Sequence, residues 1–161
     1  MKLIVKKVKP AKRGITILFD SRETRPILFQ KDDPIVSIQR TKLDCGDYQA
    51  LFPDGSRSWL IFERKSIADL WGTMTKGHTR FMKEHGRSPK GSGFIVIVEA
   101  PFSRILAGFD RSKYPGEILV RKLWMLWKDH GIFTVFCQSR QDMANYISHA
   151  FISEYRYRWP K

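Results

Sequence analysis

The sequence predicts an α/β domain built on a mixed sheet flanked by helices. Strand patterns closed by tight turns crowd its first part, up to Lys65. Helical periodicity then alternates with apolar strands, the signature of an αβα arrangement. Glycine, proline and aspartate clusters fall between the segments and set their limits.

The first strand is read over 14–20 (GITILFD), the next over 34–43 (PIVSIQRTKL) and a third over 47–52. Pro53-Asp54-Gly55 turns the chain into a strand over 58–65, SWLIFERK. Hairpin strands are thus expected to come first. Helices follow from Ile67 to about Thr75 and from about His78 to Gly86. Gly91-Ser92-Gly93 closes a loop before the apolar strand 94–98, and a helix over 115–131 precedes a strand at 133–136. A last helix carries Met143, Ile147, Ala150 and Phe151 at helical spacing. No repeat or linker divides residues 1–161, so one domain is expected.

Hydrophobic residues make up 42% of the chain and aromatics 13%, which excludes a disordered basic tail. The 29 basic and 16 acidic residues leave a net charge of +13, which favours a polyanionic partner. Membrane is not that partner: no run approaches the ~18 apolar residues of a spanning helix. The Leu3-Ile4-Val5 run is too short for the apolar region of a signal peptide. A cytoplasmic, nucleoid-associated protein is expected. Cys45 and Cys137 lack metal-ligand spacing and read as small buried residues or free thiols. His78, His85, His130 and His149 show no zinc spacing.

Chemistry concentrates around Gly46-Asp47-Tyr48 and Glu63-Arg64-Lys65. On a strand, Trp59, Ile61, Glu63 and Lys65 share one face while Leu60 and Phe62 take the other. An Asp47 on the paired strand meets Glu63 across the ladder, giving two carboxylates and an amine for a hard divalent cation. The competing reading is a solvated strand end or a surface ion pair. Ser66-x-x-Asp69 before Leu70 and Trp71 reads as a capping box that opens a helix.

Gly46-Asp47-Tyr48 followed by FERKSIADL at 62–70 resembles the GDx…ERKx3D signature of the XPF family of structure-selective endonucleases. ILFDSRE at 17–23, FIVIVEA at 94–100 and the segments after Pro115 are also similar, so the resemblance spans residues 14–152. It implies a restriction-endonuclease-like fold and a metal-dependent nuclease, similar to the short bacterial and phage versions that consist of the nuclease module alone. Where the family has arginine after the glycine at 77, this chain has His78, with Arg80 two residues on.

By that resemblance Asp47, Glu63 and Lys65 are the expected catalytic residues. Asp47, Glu63, the Arg64 carbonyl and Asp20 are the expected ligands of Mg2+ or Mn2+. Branched DNA or a single-strand/duplex junction is the expected substrate, cut to 5′-phosphate and 3′-hydroxyl ends. Lys76, His78, Arg80, Lys83 and Arg87, with Lys90, follow the motif helix and are expected to contact DNA; a solvated face is the other reading. The alternative function is a non-catalytic DNA-binding module or an inactive partner subunit, although such subunits usually carry a broken acidic motif.

Ile118, Leu119, Val120, Leu123, Trp124, Leu126 and Trp127 cover more of their helix than one core-facing stripe needs. Burial on two sides would explain this. A homodimer or heterodimer interface that includes the last helix is preferred. The six basic residues of 1–13 read as a phosphate-reaching arm or as an edge strand. The basic and aromatic residues 155–159 read as a frayed end or as a surface for nucleic acid.

Overall fold

The computed structural model describes residues 9–110 and 112–160. Its six-stranded sheet runs in the order β2-β1-β3-β4-β5-β6. The strands are β1 (Ile15–Asp20), β2 (Ile35–Thr41), β3 (Tyr48–Leu51), β4 (Leu60–Lys65), β5 (Gly93–Glu99) and β6 (Phe133–Cys137). The helices are α1 (Ile67–Met74), α2 (His78–His85), α3 (Phe102–Leu106), α4 (Gly116–His130) and α5 (Arg140–Arg158). This is the expected α/β mixed sheet flanked by helices, of restriction-endonuclease type.

Pairing in the first half differs from the expected run of hairpins. β1 pairs with β2 in parallel and with β3 antiparallel, so only β3 and β4 form a hairpin. The connection 21–34 is long enough to carry the chain back to the start of the sheet, as a parallel pair requires. It buries Ile27, whose N–H donates to the Tyr48 hydroxyl at 2.9 Å. β4, β5 and β6 are mutually parallel.

Period-2 alternation divides the core between the two faces of the sheet. Ile61, Phe94, Val96 and Val98 pack with Leu70, Trp71, Met74 and Phe81 of α1 and α2, and with Leu119, Leu123 and Leu126 of α4. Ile17, Tyr48, Phe62 and Ile97 pack with Met143, Ile147 and Phe151 of α5. The apolar stripe of α5 is therefore buried under its own sheet, which corrects its assignment to a partner interface. The 155–159 segment does not fray: α5 runs to Arg158, and the Tyr155 and Trp159 rings lie 6.2 and 5.4 Å from that of Phe52.

On α4, Leu119, Leu123 and Leu126 face the core, whereas Trp124 and Trp127 are 62% and 50% exposed, so the helix is not buried on two sides. Residues 9–13 form no strand; the expected arm or edge strand over 1–8 lies outside the described residues. Cys45 and Cys137 are buried free thiols.

Candidate active site

Gly46 brings β3 against β4. Its φ is +68°, and a Cβ there would lie 2.4 Å from Ile61 Cγ2 and 3.1 Å from the Phe62 carbonyl oxygen. Only glycine combines that backbone conformation with so close an approach. The next residue, Asp47, is fixed three ways. Its N–H donates to the Phe62 carbonyl at 2.7 Å, and its own carbonyl accepts from the Asp20 N–H at 2.8 Å. Its Oδ2 accepts from the Arg64 N–H, also at 2.8 Å.

Tyr48 pairs with Phe62, and Asp47, the residue just before β3, bonds to that same Phe62, so the regular register stops there; its carboxyl lines one cleft with Glu63 of β4. Lys65, two residues on and on the same face, donates to Glu63 Oε1 at 2.6 Å. The Lys65 ammonium also sits 5.6 Å from the centre of the Phe81 ring, which roofs it from α2. Burial, and then the Glu63 charge, push the Asp47 carboxyl up to about 8 against the pull of the Arg64 N–H. Burial likewise raises Glu63, with Lys65 opposing it. Two neighbouring acids short of positive charge at neutral pH fit a hard cation with oxygen ligands. Among the described residues, no group of three or more His, Cys, Asp and Glu side chains is placed to hold a metal ion. Any further ligand would come from the backbone, substrate or solvent.

These residues open into a cleft of about 500 Å3, lined also by Arg22, Asp69, Arg80 and Glu84. Ser66 caps α1 as expected, accepting from the Asp69 N–H at 3.1 Å. The return bond runs from the Ser66 hydroxyl to Asp69 Oδ2 at 2.6 Å, rather than from the Ser66 backbone. The Arg64 side chain turns to the Phe62 side of β4, where it pairs with Glu23 and Glu99, each at 3.1 Å.

Asp20 is not brought into the cleft. It is fully buried; Oδ1 accepts from the Arg22 N–H and Nε at 2.8 and 2.7 Å, and Oδ2 from the Leu43 N–H at 2.7 Å. Burial alone would raise this acid, but those bonds hold it below its ordinary value.

The basic run divides. Arg80 lines the cleft, and Arg87 and Lys90 line an adjoining groove. His78 faces a separate hollow against Lys122 and His130 of α4, while Lys76 and Lys83 are exposed. Sequence reasoning missed Glu84, which lies 3.9 Å from Arg22 and 3.8 Å from Arg87. Its spacing of three from the sheet-facing Phe81 was the available signal.

The mixed six-stranded sheet flanked by helices, with a half-buried and a buried acid meeting at its centre, is that of a restriction-endonuclease-like domain. The ERCC4 domain model matches residues 19–150, and the chain belongs to that family. Among solved structures, XPF from Aeropyrum pernix is 23% identical with a TM-score of 0.61, over 88% of this chain and 66% of that one. XPF from Aeropyrum pernix in complex with DNA is 20% identical with a TM-score of 0.63, over 91% and 68%. The chain spans about two thirds of the length of either, and the likeness shows the fold. No curated protein matches it. Among the described residues, no helix is long and apolar enough to cross a membrane.

Proposed function

We propose that the protein is a metal-dependent DNA endonuclease, structure-selective for flaps, forks or other single-strand/duplex junctions. The observation that carries this reading is the meeting of Asp47 and Glu63 in one cleft at the β3–β4 junction, with Lys65 2.6 Å from Glu63, in an ERCC4-family chain. Asp47, Glu63 and the Arg64 carbonyl would hold Mg2+ or Mn2+. Asp20 supports this site from behind by anchoring the end of β1. When bound, the cation supplies the charge that polarises a scissile phosphate and acidifies a water.

The chain's own residues do the rest. Lys65 orients the attacking water and offsets charge on the pentavalent phosphorus. Arg80, at the cleft wall, holds a phosphate beside the scissile one. In-line attack leaves 5′-phosphate and 3′-hydroxyl ends. The exposed Trp124 and Trp127, with Phe102 and Phe133, form the surface through which two nuclease domains pair. The setting is cytoplasmic DNA repair or recombination on the nucleoid.

Labelled flap, fork and duplex DNA incubated with Mg2+ or Mn2+ tests the reading. Cutting near the branch is expected, reduced about 10²–10³-fold or more by Glu63→Gln. Salt-sensitive binding without cutting, equal in both proteins, would instead identify a DNA-binding module.

A further inference from the structure

We infer that Trp59 is a stacking platform for an unpaired base of the DNA, a site adjoining the cleft that fixes where the single-stranded segment runs. This rests on the nuclease reading and deepens it. Trp59, one residue before β4, lines a groove together with Ile61, and Ile61 shares its face of β4 with Glu63, so the ring lies four residues, about 13 Å, along the sheet from the catalytic acid. That is roughly two to four nucleotides of a single strand, between stretched and stacked spacing.

The groove at Trp59 has a volume of about 300 Å3 and is walled by Arg57, Arg87 and Lys90, with Asp44 as its acid. Its three cations suit a phosphate backbone, and its open aromatic ring suits a base. The ring is 51% exposed, yet it is held in position. It lies against Gly93, where an added Cβ would stand 2.5 Å from Cζ3, so one side of the indole rests on the backbone. The Trp59 backbone N–H donates to Glu154 Oε1 at 3.1 Å and the Trp59 carbonyl accepts from the Gly93 N–H at 2.9 Å. An exposed indole fixed at its base loses little freedom when a base stacks on it.

The groove and the cleft are neighbours, bridged by one ion pair: Arg87 of the groove lies 3.8 Å from Glu84 of the cleft. A strand passing from Lys90 and Arg87 to Arg80 reaches Glu63 without leaving this face. Duplex bases, already stacked on their neighbours, have no face to offer Trp59. The platform therefore selects for single-stranded character beside the cut.

The test measures binding in EDTA, where no cutting occurs, by anisotropy of labelled flap and duplex DNA with the full chain. Trp59→Ala is expected to weaken flap binding by about 5- to 150-fold, while Trp59→Phe keeps it within about threefold. Duplex binding stays unchanged in both variants. A single abasic nucleotide, moved stepwise through the unpaired arm, is expected to weaken wild-type binding at one or two adjacent positions and to have no effect on Trp59→Ala. Equal losses on flap and duplex, or no loss with Trp59→Ala, would overturn the platform while leaving the nuclease reading intact. A wild-type chain that binds neither DNA would overturn both.

Discussion

The N–H of Arg64 donates to Asp47 Oδ2 at 2.8 Å, so the backbone of the ERK strand itself holds the acid that shares the cleft with Glu63. The bond orients the carboxylate but does not neutralise it.

A pH dependence follows from that arrangement. The folded-state pKa of Asp47, about 8, lies above its ordinary 3.8. Between those values the folded chain keeps a proton that the unfolded chain has lost, and stability falls as pH rises. In EDTA, Tm is expected to drop from about pH 5 to 8, and Asp47→Asn is expected to flatten the drop. Mg2+ or Mn2+ should raise Tm more at pH 8 than at pH 5.5, as thermal melts with and without the ion would show.

Gly46→Ala is expected to damage fold and site together. The +68° φ and the 2.4 Å approach to Ile61 leave no room for a methyl group. Chemical denaturation should show a loss of about 2 kcal/mol or more. DNA cleavage by the fraction still folded should fall with it, since Asp47 follows directly.

Asp20→Asn separates support from metal binding. One amide oxygen cannot serve three donors, and the amide NH2 would face an N–H, so a loss of about 2–4 kcal/mol is expected. The wild-type acid is held below its ordinary value, so its contribution is present above the unfolded pKa and fades as pH falls through the folded one. The Tm difference between wild type and variant should therefore narrow below about pH 4. An unchanged Tm with loss of Mn2+ binding would make Asp20 a ligand instead.

Trp124→Glu with Trp127→Glu should leave Tm near wild type, because both rings are at least half exposed. Sedimentation should show an association that the double variant abolishes. A wild-type chain that stays monomeric at high concentration would remove that surface from consideration.

Much of the site was legible because its signals are local. Strand alternation set Glu63 and Lys65 on one face, and the Pro53-Asp54-Gly55 turn folded Asp47 back onto them. What the sequence hid was partnership across the fold. Nothing in ITILFD says that its neighbour will be parallel, because a strand's pattern records its burial and not its pairing. Glu84 was masked by the cations around it, and its place over the cleft emerges only once Phe81 is docked. Asp20 looked like a ligand from its position at a strand end, but the nearby Arg22 side chain and Leu43 N–H claim both of its oxygens.

Asp47 ties β1, β3 and β4 together at one residue, with β3 and β4 in the middle of the sheet and β2 and β6 at its rims. Sheets open from their rims, where strands have one neighbour instead of two. A chain losing β2 or β6 to heat, denaturant or a protease would still carry its two acids in one cleft. Activity should therefore outlast the first losses of secondary structure and vanish only with the final cooperative collapse.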